Sequence, residues 1–266
     1  MLQDMNYISE DFRIQHLSYY KLVIQAGHQE DVLMILDENN SVQAYIRCDS
    51  ASPTIDATRL LALPFRHVSI MIPQHSFTFV PAEAYQEEDE DIYGEYLVNK
   101  NDQDIYTLDM LRFGSHAIYQ LDSLLYQRWF ALFPDATYLP VFQVLFDLIP
   151  EQLPTQGAQL FLYEQSSYVH VILLKDGQFL FYNNFYVTNA EDLGYYVRRI
   201  MSDFSIDSLE NITLANLDKD HPLLAFVQQF SKHLDNIDLP IGANDSSKVH
   251  PSSPLFGVLF QREVCA

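Results

Sequence analysis

Cysteine is almost missing from this 266-residue chain, with only Cys48 and Cys265 present. Two thiols make neither a disulfide framework nor a four-ligand zinc set, and they fit a reducing compartment. Positive charge is scarce as well. Fifteen Lys and Arg stand against 36 Asp and Glu, which leaves a net charge of −21. So acidic a chain repels phosphate backbones and anionic lipid, so no nucleic-acid partner is expected. Acidic enzymes that do hold nucleic acid do so through metal ions. The ordinary reading of the charge is solubility. No apolar run approaches the roughly 20 residues of a membrane span. The first residues, Met1-Leu-Gln-Asp-Met-Asn, lack the basic and apolar regions of a signal peptide. The expected location is the cytoplasm.

Catalytic motifs are missing too. The nine histidines form no HExxH and no paired ligand spacing. His170 lies inside a strand-like run, where a hydrogen-bonded imidazole is the expected reading. There is no G-x-S-x-G, no Walker sequence and no sequence cue for a reactive cysteine. No cofactor is expected, and no metal.

What the chain does contain is apolar pattern: 48% of residues are hydrophobic and 14% aromatic, a globular composition. Gln159 to Phe204 organises the rest. Gln159 to Tyr163 and Tyr168 to Leu174 read as strands. Asp176-Gly177 then predicts a hairpin into Phe179 to Tyr182, because a type I′ turn needs positive φ at both central residues. Asn189 predicts a helix N-cap, with Glu191 and Asp192 at the positive end of the dipole. Leu193, Tyr196, Val197, Ile200, Met201 and Phe204 form one apolar stripe. Gly194 beside it is expected to let a strand approach closely. Asn211 to Leu217 is the next strand. Asp220 and Pro222 open a second helix carrying Leu223, Phe226, Val227, Phe230 and Leu234, and Ile237 to Leu239 closes the series. The order β-β-β-α-β-α-β predicts a mixed five-stranded sheet with helices on its faces, the ribonuclease H-like arrangement.

The first half repeats the pattern. Leu17 to Gln25, Val32 to Leu36 and Val42 to Arg47 are three strands, Thr54 to Leu63 a capped helix, and His67 to Ile72 a fourth strand. Two copies of this unit make an actin-like fold. Phe77 to Pro81 reads as an edge strand or an extended lead-in to a helical turn. Glu87 to Asp91 is an acidic run expected to be a solvated loop; it lacks the spaced ligands and central Gly of a calcium loop. Glu95 to Val98, Ile105 to Leu111 and Ala117 to Leu121 are further strands. Asp122 caps a helix with Leu125, Trp129 and Leu132, and Val141 to Ile149 is another. Pro150 to Gly157 is the expected linker, dividing residues 1–150 from 151–266. Pro254 to Val264 is expected to be a terminal helix.

An actin-like ATPase grips phosphate with Gly-lined hairpins between the first two strands of each half. The second-half turn, Glu164-Gln-Ser-Ser-Tyr168, has no Gly. The first-half turn, Ala26-Gly-His-Gln-Glu-Asp31, has one Gly followed by two acids. Nucleotide is therefore disfavoured. A ribonuclease H-type nuclease needs converging carboxylates, one from the first strand. Leu160 to Tyr163 offers none, and Glu164 and Asp192 do not complete a set. Phe181-Tyr-Asn-Asn-Phe-Tyr186 and Tyr195-Tyr196 cluster at the strand-to-helix corner. The structural reading is amides satisfying corner backbone and Tyr hydroxyls at a core edge. The functional one is a partner or ligand surface of Asn183, Asn184, Tyr186, Asp192 and Tyr195.

At this cluster Asn183-Asn-Phe-Tyr-Val-Thr-Asn-Ala-Glu-Asp-Leu-Gly-Tyr-Tyr196 resembles the Asn-Ser-Phe … Thr-x-Glu-Asp-x-x-Tyr-Tyr signature of a bacterial family classed as a domain of unknown function. Phe77-Thr-Phe-Val-Pro81 resembles its other recurring piece. Asn184 departs from the signature, which has Ser there. The resemblance covers nearly the whole chain. It implies an α/β, duplicated ribonuclease H-like (actin-like ATPase) fold of two lobes, similar to pilus-assembly proteins of the PilM type, and it carries no activity across. The resulting expectation is a scaffold or interaction module with a protein partner and degenerate phosphate loops. The alternative is a nucleotide-binding actin-like ATPase, and a metal-dependent nuclease stands a distant third.

Overall fold

The computed structural model describes residues 6–39, 41–98, 104–150, 155–165, 167–215, 217 and 219–237. The expected terminal helix from Pro254 lies outside them, as does part of the expected strand at Ile237 to Leu239. The chain divides into two compact units, described here as residues 6–147 and 148–237.

In the first unit β1 is Asn6–Ile8, β2 Lys21–Gln25, β3 Glu30–Leu36 and β4 Val42–Asp49; α1 is Ile55–Leu61 and β5 His67–Ile72. Three strands of a second sheet follow: β6 Gln74–Pro81, β7 Tyr106–Met110 and β8 Ser115–Leu121. Between β6 and β7 lies α2, Glu90–Gly94. Then come α3 Ser123–Phe130, β9 Thr137–Pro140 and α4 Val141–Asp147.

The main sheet runs β1-β4-β3-β2-β5-β9. β4-β3-β2 is an antiparallel meander, while β5 and β9 join parallel, so this is the five-strand arrangement with β1 added at one edge. Neither β1 nor β9 was predicted; each is too short to show a period. The predicted first strand is also shortened. Ile14–Tyr19 is a 3-10 turn, because Leu17 and Tyr20 are buried three residues apart, which suits three residues per turn and not the alternation of a strand.

The small sheet runs β6-β8-β7, with β6 at an edge as expected. Phe77 and Phe79 share one face by the two-residue repeat. They meet the rings of Phe142 and Phe146, one turn apart on α4; Phe79 lies 5.7 Å from Phe142 and 6.0 Å from Phe146. The Phe-Thr-Phe motif therefore fastens the small sheet to α4. The acidic run is a 3-10 turn, Glu87–Asp89, leading into α2, in place of a loop. Its Glu90 accepts from the Tyr85 hydroxyl at 2.6 Å and from Thr107 at 2.9 Å. The Tyr85 bond holds the Glu90 carboxyl below its ordinary range. Glu95 to Val98, expected as a strand, is turn. Its amides bond back to Ile92, Tyr93 and Gly94, continuing the end of α2.

In the second unit β10 is Ala158–Gln165, β11 Tyr168–Lys175 and β12 Gln178–Tyr186; α5 is Ala190–Asp203, β13 Asn211–Ala215 and β14 Leu234–Asn236. The sheet order is β12-β11-β10-β13-β14, with the meander antiparallel and the last two strands parallel. Asp176 and Gly177 have φ of 53° and 77°, the two positive values a type I′ turn requires. Asn189 caps α5 by accepting from the Asp192 amide. Leu193, Val197, Ile200 and Met201 pack with Leu160, Leu162, Val171 and Leu173 in one core.

The predicted second helix is instead two 3-10 turns, Pro222–Leu224 and Gln228–Phe230, and His221 rather than Asp220 is the cap. Leu224 and Val227 are fully buried and Phe230 packs against the core. Those three lie three residues apart, the repeat that a 3-10 turn places on one face. Gly194 makes room for this segment and not for a strand: a Cβ there would lie 2.8 Å from that of Phe226.

Candidate functional site

The turn between β2 and β3 lies at the carboxyl ends of parallel β2 and β5, where open α/β sheets bind ligands. In this chain the turn is closed by its own side chains. Asp31, buried at the start of β3, accepts the Gly27 amide on Oδ1 at 3.0 Å and Arg128 from α3 on the same oxygen at 2.6 Å. Burial raises the Asp31 pKa above the ordinary carboxylate value, against the opposing pull of Gly27 and Arg128. The Arg128 guanidinium also lies over the Trp129 ring, 5.0 Å from its centroid. Asp122 caps α3 through Leu125 on one oxygen, and its other oxygen meets His28 of the turn at 2.8 Å. A Cβ on Gly27 would sit 2.3 Å from the Glu30 carbonyl oxygen, so the turn folds tightly on itself. The amide that a phosphate loop would present outward is spent inward on Asp31. The sequence showed the two acids but not Arg128, which comes from 97 residues away.

The corresponding turn of the second unit follows β10. Glu164, expected in that turn, lies instead within β10 near its end, 3.8 Å from His221, and burial raises its pKa. Among the described residues no three His, Cys, Asp or Glu side chains gather as a metal site.

The second candidate is the β12–α5 corner. Asn183, Asn184 and Tyr186 lie within β12, which continues past the expected end at Tyr182. Alternation along β12 divides them. Phe185 stacks on Tyr196 of α5 at 4.2 Å, so Asn183 and Phe185 share the α5 side. Asn184 and Tyr186 are on the opposite face, where Tyr186 meets Tyr168 at 5.6 Å. Tyr186 and Tyr195 are 57% and 65% exposed. Asp192 is committed to the corner itself. Its Oδ2 accepts the Thr188 amide at 2.9 Å and hydroxyl at 2.7 Å, bonds that lower its pKa. Beneath the Tyr186 face His170 is buried and shares a 2.8 Å hydrogen bond with the Tyr182 hydroxyl. Loss of water pushes its pKa down to about 3, so this imidazole is neutral.

Comparison with curated proteins found no match. Among solved structures, the chain is similar to a Bacteroides thetaiotaomicron protein of actin-like ATPase fold and unknown function. Identity is 16%, 89% of this chain and 97% of that one are covered, and the TM-score is 0.66. A PilM–PilN type IV pilus biogenesis complex also matches, at 13% identity over 90% of this chain and 96% of that one, with a TM-score of 0.57. The strand orders above are those of a duplicated, actin-like α/β fold, and the likeness agrees. The model of a family described as protein of unknown function (DUF3822) matches residues 9–234, and the chain belongs to that family.

Proposed function

We propose that the protein is a non-catalytic interaction or scaffold module, an actin-like fold whose phosphate loops have degenerated. The observation that carries this reading is the Gly27 amide bound to Asp31, itself held by Arg128. A phosphate at that turn would meet a buried carboxylate and find the Gly27 amide already bonded, so binding would cost the ion pair as well as charge repulsion. The surface for a protein partner is the β12–α5 corner, with Asn183, Asn184, Tyr186 and Tyr195 as contacts and Asp192 holding the corner in shape. Tyr and Asn are adaptable contact residues of the sort that interfaces recruit. The PilM–PilN complex shows a protein of this fold held with a protein partner. The scarcity of cysteine supports a cytoplasmic setting. Among the described residues no helix is long and apolar enough to cross a membrane.

A thermal-shift titration with Mg-ATP and Mg-ADP tests the loop. A ligand that binds only the native state adds about 2.7 kcal/mol at a hundredfold excess over its Kd. No rise in Tm at millimolar nucleotide is the expected outcome. A clear rise would favour the ATPase reading instead.

A further inference from the structure

Among the described residues each sheet has two edge strands, and five of the six are protected. β1 and β14 have three residues each, and β9 has four and ends in Pro140. β7 has five and carries Asp109. β6 ends in Pro81. These are the usual devices against adding a foreign strand. β12 is the exception. It has nine residues, Gln178 to Tyr186, without a charge or a proline, in a chain of net charge −21. Its pairing with β11 is irregular at Leu180 but regular from Phe181 to Tyr186.

The free side of that run can be identified. The Val187 amide bonds to the Ser167 carbonyl, toward β11. By the two-residue repeat the amides of Asn184 and Tyr186 point the other way. The Asn184 amide is covered only locally, by the Asn183 side-chain oxygen at 2.9 Å. An incoming strand could take over that donor, and Asn183 would then be released. Tyr186 and Phe185 would flank the added strand on opposite faces.

We infer that β12 is a strand-addition site for an extended, basic peptide segment of a partner protein. This rests on the interaction-module reading above. Charge selects the occupant. A second copy brings another −21, whereas a Lys- or Arg-bearing segment is drawn to the surface and meets Glu191 and Asp192 just beyond the end of β12.

The test is to pan a phage-displayed library of random linear peptides on the full chain, then measure binding of the selected synthetic peptides. Enriched peptides with β-forming, net positive sequences are expected, and they should slow hydrogen exchange at Asn184 and Tyr186. Asn184→Pro removes a donor that the β11 ladder does not use and should weaken binding at least about tenfold. Asn183→Ala uncovers the same amide and should tighten binding a few-fold, which keeps the inference testable if the proline variant fails to fold. No enrichment, acidic selected sequences, or binding that leaves those two amides and both variants unchanged would overturn it. So would a dimer in sedimentation that Asn184→Pro dissociates. Nucleotide binding in the thermal-shift experiment would overturn the degenerate-loop reading without touching this result.

Discussion

Asp31 Oδ1 lies 2.6 Å from Arg128 Nη2, and the same oxygen receives the Gly27 amide. One carboxylate thus joins the β2–β3 turn to α3. The turn is tied down by the buried Asp31 and is not left open as a ligand loop.

Arg128→Met should leave the Asp31 carboxylate buried with a single backbone donor. Breaking a fully buried pair costs roughly 3–5 kcal/mol; with the Arg128 side chain 32% exposed, about 2 kcal/mol is expected. Asp31→Asn combined with Arg128→Met should recover part of that loss. Urea unfolding of the two variants checks both, and a double variant weaker than the single would contradict the assignment.

Gly27→Ala places its methyl group against the Glu30 carbonyl oxygen, which is backbone and cannot swing aside. A loss of about 1–3 kcal/mol is expected, as for other overpacked sites. Equal stability in chemical denaturation would mean that the turn is looser than described.

His170 gives a pH dependence. Its folded pKa of about 3 lies below the ordinary histidine value of 6.5. Between the two values the unfolded chain binds a proton that the folded chain refuses. Stability is therefore full above 6.5 and falls as pH drops through the window, by at most about 1.4 kcal/mol per unit. Comparing unfolding of the parent and His170→Gln from pH 7 to pH 4 should show a shallower slope in the variant.

Phe142→Ala should cost about 3–5 kcal/mol, since this fully buried ring meets Phe77, Phe79 and Tyr119 at once. Thermal unfolding gives the loss. A Phe79→Ala, Phe142→Ala double variant should lose less than the sum of the singles, because the two rings share a contact.

Elements with a strong period or a punctuating residue were legible in the sequence. The β10–β12 meander, its Asp176-Gly177 turn and the Asn189-capped α5 follow from local chemistry that needs no distant partner. Elements whose form depends on what lies against them were not. The segment from Pro222 to Phe230 carries enough apolar residues for a helix, but its two fully buried residues, Leu224 and Val227, lie three apart with Phe230 three further on, so a tighter three-residue turn results. The aromatic-amide run looked like a corner because Asn favours turns. Pairing of Phe181 to Tyr186 with β11 overrides that preference and draws the run into the strand.

The sequence by itself determined the duplicated α/β pattern, the Thr54, Asp122 and Asn189 caps, the tight hairpin and the poverty of glycine in the phosphate turns, because each is a property of neighbouring residues. Only the tertiary structure decided that Arg128 reaches Asp31, that the Phe77 and Phe79 rings close on α4, and that β12 stands, among the described residues, as a long uncharged edge. Those depend on which segments meet in space, and a local pattern carries no record of the distant partner that satisfies a buried charge, fills a core or leaves an edge unpaired.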